Sequence, residues 1–191
     1  MSIVIPSKVS RISGHAFYGC DNLRNVVIHG KIPSVENSTF YGCINLRNIT
    51  LPESVTSIGR YAFYKCNNLT DFTIPEKVKS IGSYAFYYCQ NLRNIAIPKG
   101  VSIIEQYTFC GCWGLISITI PANVTSIEEY GFSENFSAEE VLCFATTPPE
   151  CSYGMYFNKA KTVLKVPKGC VELYKNNQSW NYGFLNIVEM E

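Results

Sequence analysis

The chain has 191 residues, with Lys plus Arg at 16 and Asp plus Glu at 15, so no net field recruits nucleic acid or an anionic membrane surface. Aromatic residues make up 14% of it, 13 of them Tyr, which argues against disorder. No apolar run approaches the ~20 residues of a membrane helix, so no membrane insertion is expected.

The opening "MSIVIPSKVSRI" lacks the basic segment and long apolar stretch of a signal peptide, and is read as the start of a cytosolic chain or of a mature fragment. It does hold a first short strand, in which Ile3 and Ile5 alternate inward and Pro6 closes the element. The same slots return 23 residues later at Val26 and Ile28, with His29 in place of the proline. Between them Ile12, Phe17, Cys20 and Leu23 open four rows that share this period. Phe continues at 40, 63, 86, 109 and 132; Cys at 43, 66, 89 and 112; Leu at 46, 69, 92 and 115. An Ile or Val row runs through 35, 58, 81, 104 and 127. One row of coincidences is weak; four in one frame dictate a repeat fold.

Inside each unit the periodicity switches. "LTDFTIP" at 69–75 alternates with Phe72 and Ile74 inward, which reads as a strand ended by Pro75. The following "V-x-x-I" stretch is a candidate second strand. In "IGRYAFYKC", Ile58, Ala62, Phe63 and Cys66 share one face at a spacing that suits a short helical or 3₁₀ turn. No unit can bury its apolar face alone, but stacked copies can. Adding 23 beyond the last clear motif reaches Val141 and Cys143, then Leu164 and Val166. Eight rungs are therefore expected, at Ile3, Val26, Ile49, Phe72, Ile95, Ile118, Val141 and Leu164. They make a parallel ladder roughly 34 Å long. The expected organisation is an α/β repeat solenoid over 1–132, continuous with divergent repeats and a cap over 133–191.

The five-membered Cys row lies three residues after Phe and three before Leu, both inward, so its thiols are read as buried filler. A one-dimensional row cannot supply tetrahedral zinc ligands. His15 and His29 are the only histidines, and neither has an orienting partner in motif spacing, so no catalytic, metal or cofactor site is assigned. Cys110 stands in a Tyr row (18, 41, 64, 87) and is expected to face outward or sideways.

Recognition then belongs to the outward rows. On the strand face these give Arg24, Arg47 and Arg93, then Asn48, Asp71 and Asn94, then Thr50 and Thr73. Three arginines in one row favour an anionic group such as a carboxylate-bearing glycan or an acidic peptide. The bland alternative is that outward rows must be polar for solubility. A second surface is aromatic, with Tyr64 and Tyr87 in one Tyr row and Tyr61, Tyr84, Tyr107 and Tyr130 in another.

The unit "L-x-x-[IF]-x-[IL]-P-x-x-V-x-x-I-x-x-Y-A-F-x-x-C-x-N", seen across 46–68 and 69–91, resembles the BspA-like leucine-rich repeats of bacterial surface proteins. The tail, with "ATTPPECSYGMYF", "LKVPKGCVELYKNNQSW" and "LNIVEME", is similar to the closing segment of such proteins in gut Bacteroidetes. The resemblance implies a right-handed leucine-rich-repeat superhelix, an extracellular or cell-surface setting, and no shared catalytic site. It implies adhesion to a host or matrix protein or glycan, with a rigid structural spacer as the alternative. A monomer is expected, with end-to-end pairing through the uncovered first strand as the other outcome.

Overall fold

A computed structural model describes residues 1–152 and 155–191. Tyr153 and Gly154, inside the tail segment "ATTPPECSYGMYF", lie outside the described residues.

The chain winds as a parallel β-solenoid. Its first half contains β1 (Ser2–Ile5), β2 (Asn25–Ile28), β3 (Ser34–Val35), β4 (Asn48–Thr50), β5 (Ser57–Ile58) and β6 (Ser80–Ile81). The middle contains β7 (Asn94–Ala96), β8 (Ile103–Ile104), β9 (Ser117–Ile120), β10 (Ser126–Ile127) and β11 (Glu140–Cys143). The end is formed by β12 (Glu150–Cys151), β13 (Val163–Val166), α1 (Val171–Asn176), α2 (Gln178–Gly183) and β14 (Asn186–Glu189).

Two ladders run along the solenoid. On the first, β1, β2 and β4 form one sheet with Ile3, Val26 and Ile49 in register. Its continuation, β7-β9-β11-β13-β14, aligns Ile95, Ile118, Val141, Leu164 and Ile187. The second ladder joins β3-β5-β6 and β8-β10-β12. There Val35, Ile58 and Ile81 align, as do Ile104, Ile127 and Cys151. The "V-x-x-I" stretch is thus a second strand in these coils.

Three expectations are corrected. First, residues 71–73 are inward-facing at Phe72 but form no strand, so the first ladder is split. Phe72 fills a slot that elsewhere holds Val, Ile or Leu. Its ring leans at 5.1 Å on both Phe63 and Phe86, tilted by 59° and 58°. That extra size is the physical reason for the interruption. Second, one more rung exists: β14 places Ile187 one period after Leu164.

Third, the turn "IGRYAFYKC" is not helical. The N–H groups of Ala62, Tyr64 and Cys66 donate three residues back, at 3.3, 3.2 and 3.0 Å. Those of Tyr61, Phe63 and Lys65 donate instead to Ser83, Ala85 and Tyr87 of the next coil, at 3.1, 2.8 and 2.7 Å. A helix would spend every N–H internally, whereas this backbone leaves half of them to bind its neighbour. The alternation needs a left-handed residue every fourth position, at Tyr61 (φ 56°) and Lys65 (φ 55°). The periodic equivalents Tyr84, Tyr107 and Tyr130, and Gly42, Tyr88 and Gly111, share that conformation.

The core is a column of stacked rings. Phe17, Phe40, Phe63, Phe86, Phe109 and Phe132 stack with centroids 5.2–5.4 Å apart. Beside them Cys43, Cys66, Cys89 and Cys112 are fully buried. They do more than fill space. Each thiol donates to the carbonyl of the Phe one coil back, at 3.0, 3.1, 3.2 and 3.1 Å respectively. Asn135, one period after Cys112, keeps the bond through Nδ2 to the Phe109 carbonyl at 3.0 Å. Burial pushes the Cys43 thiol up to about 12 and raises Cys66, Cys89 and Cys112 as well.

Candidate binding surfaces

The outward rows lie at or beside strands, except at Asp71 and Thr73, whose segment forms no strand. Arg24, Arg47 and Arg93 precede β2, β4 and β7, and all three are exposed. Their backbone carbonyls serve the ladder: Arg24 accepts from Arg47 at 2.8 Å and Arg93 from Ile116 at 2.7 Å. Their guanidinium groups make no ion pair among the described residues. Asn48 is partly engaged, since its Nδ2 donates to Asn25 Oδ1 at 2.9 Å, and Asn25 passes the bond on to Ser2 Oγ at 3.0 Å. Asn94 is exposed on β7. Thr50, Asp71 and Thr73 come together around a hollow of 260 Å³ beside the interrupted rung, with Glu53 on its wall.

The tyrosines form a second, continuous face. Tyr18, Tyr41, Tyr64 and Tyr87 stack at 4.5, 4.5 and 5.1 Å. Tyr61, Tyr84, Tyr107 and Tyr130 stack at 5.0, 4.7 and 4.9 Å. Edge contacts lock the two columns together, Tyr61 to Tyr64 at 5.7 Å and Tyr84 to Tyr87 at 5.5 Å. The second column continues past the repeats to Tyr156 and Tyr182, at 6.3 and 6.0 Å. Ring faces are therefore consumed by neighbouring rings, and Tyr64 and Tyr87 are half-buried. Burial raises the hydroxyls of Tyr41, Tyr64, Tyr84, Tyr87 and Tyr107, which keeps them as neutral donors and acceptors.

Cys110 corrects a further expectation. It is buried at 3% exposure, beside Tyr84, Tyr87 and Tyr107, and burial pushes its thiol up to about 12. A short side chain in a tyrosine row ends below the level that its long neighbours reach. All nine cysteines are free thiols, Cys143, Cys151 and Cys170 of the closing segment included. Among the described residues no cluster of His, Cys, Asp and Glu could hold a metal ion, and no helix is long and apolar enough to cross a membrane.

A hollow of 660 Å³ opens where the chain leaves β7 and β9, lined by Ala96, Ile97, Thr119, Pro121, Ala122 and Phe144. The signal for it was present as three departures from the repeat. Ala96 replaces the Thr of 50, 73 and 119; Ala122 replaces Glu53, Glu76 and Lys99; Phe144 replaces the row's proline.

A family model described as the BspA type leucine rich repeat region matches in six copies, over residues 1–112 and 56–176. Among solved structures, a leucine-rich repeat protein from Bacteroides ovatus aligns with a TM-score of 0.71 at 28% identity, over 98% of this chain and 51% of its own. The T. pallidum leucine rich repeat protein aligns at 0.70 with 25% identity, over 86% and 73%. A leucine rich cell surface protein from Faecalibacterium prausnitzii aligns at 0.64 with 26% identity, over 98% and 47%. The chain spans about half the length of the Bacteroides and Faecalibacterium proteins. No curated protein matches it.

Proposed function

The chain belongs to the BspA-type leucine-rich repeat family, and from that membership we propose that it is a non-catalytic recognition module of a secreted or cell-surface protein, adhering to a host or matrix protein or glycan. One observation carries the reading: Arg24, Arg47 and Arg93 stand exposed along the strand face with no ion-pair partner among the described residues. Guanidinium groups one rung apart at Arg24 and Arg47, and two rungs further at Arg93 beyond Thr70, fit a partner that repeats carboxylates. The surface setting is supported by the cell-surface relative from Faecalibacterium prausnitzii.

Binding to arrays of glycans and matrix proteins tests it. Arg47→Ala combined with Arg93→Ala is expected to abolish a hit on an acidic partner. A hit that survives the double variant moves the contact to the tyrosine face at Tyr64 and Tyr87. The second reading is a rigid spacer, favoured by the column of Tyr61, Tyr84, Tyr107 and Tyr130 stacked from coil to coil and by a chain that spans half of its longer relatives. An array with no hit under conditions where the longer Bacteroides ovatus relative binds would select it.

A further inference from the structure

In a repeat protein, every coil solves the same packing problem, so a position that leaves its row needs a separate reason. Three departures meet at one place here. Two of them, Ala96 and Ala122, trade larger side chains for methyl groups and open the floor of the 660 Å³ hollow. The third, Phe144, raises a wall beside it and stays 45% exposed, where the same row holds a compact proline at 52, 75, 98 and 121. Ile97 and Pro121 complete an apolar lining, and the hollow has room for one large side chain together with the backbone that carries it.

The rim itself carries one charge of each sign, Lys99 and Glu76, and Arg93 adds a second cation outside it. Among the described residues Lys99 on the rim has no ion pair, and Arg93 lies three residues before Ala96 on the same coil, roughly 10 Å away along the extended chain. Two cations thus flank the apolar floor along one coil, while Glu76 occupies the rim one coil earlier. Resting on the recognition function proposed above, we infer that this hollow is the anchor site for an extended acidic peptide. Its leucine- or phenylalanine-type side chain enters between Ala96 and Phe144. Carboxylates on either side of that anchor reach Arg93 and Lys99. Glu76 selects against a further carboxylate at the outer rim. Buried apolar anchors carry most of the energy of such contacts, and the flanking charges set register.

The test titrates three synthetic peptides into the full chain: Ac-Glu-Ser-Ser-Leu-Ser-Glu-amide, the same peptide with Ala for Leu, and the same peptide with Lys for both Glu. Methyl resonances of Ala96 and Ala122 report the site. The first peptide is expected to shift both and to bind at least tenfold more tightly than the other two. Ala122→Leu, at an exposed position, should fill the floor and remove the shift at Ala96 with an unchanged far-ultraviolet spectrum; Phe144→Ala should weaken binding at least fivefold. Equal affinity for the Leu and Ala peptides, or equal shifts from the Lys peptide, overturns the assignment. Shifts produced instead by methyl α-glucoside would make the site a sugar site and overturn it too. An array hit that is lost in the arginine double variant but intact in Ala122→Leu leaves the strand-face function standing and removes this anchor alone.

Discussion

The two ends of the solenoid are built on the same rows and finish differently. In the first coil Ile3, Ile5, Phe17 and Cys20 are only half-buried, although their counterparts one period on, Val26, Ile28, Phe40 and Cys43, are buried. Among the described residues Phe17 stacks on Phe40 and on no ring at its other face; β1 is the edge of its sheet, as β14 is of its own at the far end. At the far end the repeat residues give way to larger ones. Tyr174, Trp180 and Phe184 are wholly buried, with Tyr174 and Trp180 edge to face at 5.0 Å. Their polar atoms are placed: Tyr174 Oη donates to the Ala145 carbonyl at 2.7 Å, and Trp180 Nε1 to the Pro149 carbonyl at 2.9 Å. A coil is stabilised by the coil on each side, and after β13 these larger side chains cover the core in place of the Phe and Cys rows. Asn177 allows this, because its side chain accepts from the Ser179 and Trp180 N–H groups and starts α2 where Trp180 can turn inward.

The largest effect separating the ends is expected from cavity formation. Trp180→Ala should cost about 3–5 kcal/mol in urea unfolding, because the ring is fully enclosed. Phe17→Ala removes an aromatic ring from the same column at the open end and should cost less than half as much; equal costs would erase the distinction between a closed and an open end. Next comes Tyr174→Phe, which leaves the Ala145 carbonyl without its donor and should cost about 1–3 kcal/mol.

Thiol chemistry separates both ends from the middle without mutation. Half-buried Cys20 and Cys151 should label first in the native protein, and Cys66, Cys89 and Cys112 only on unfolding. Rapid native labelling of that central trio would break the picture of a dry column. The same thiols set an alkaline limit. Their folded pKa lies above the unfolded value, so the folded state holds the protons more tightly. Stability from this source is complete below about pH 9 and falls as pH rises toward 12, the value at Cys43. A stability profile flat from pH 9 to 11 would contradict it.

The smallest expected effect lies in the body. Lys65 holds a left-handed conformation where Gly42 and Gly111 occupy the same row. Lys65→Gly should gain about 0.5–1 kcal/mol by removing the Cβ conflict. At Gly111 the reverse change to Ala would drive its Cβ into the Tyr88 ring and should destabilise.

Much of this molecule was legible as arithmetic. A constant step of 23 places every member of a row at the same angle around the coil, so the sequence alone determined which residues share the interior: the Phe column, the thiols and the inward strand positions. It also determined the outward Arg and Tyr rows for the same reason. Tertiary structure alone decided the rest. The sign of φ at Tyr61 and Lys65 follows from N–H groups that must reach the next coil, a demand that local spacing does not express. The missing strand at Phe72 and the burial of Cys110 depend on the size of neighbouring side chains, and the thiol bonds on how far one coil sits from the last. Periodicity states which environments are alike; only packing in three dimensions states what each environment is, and how the final one is closed.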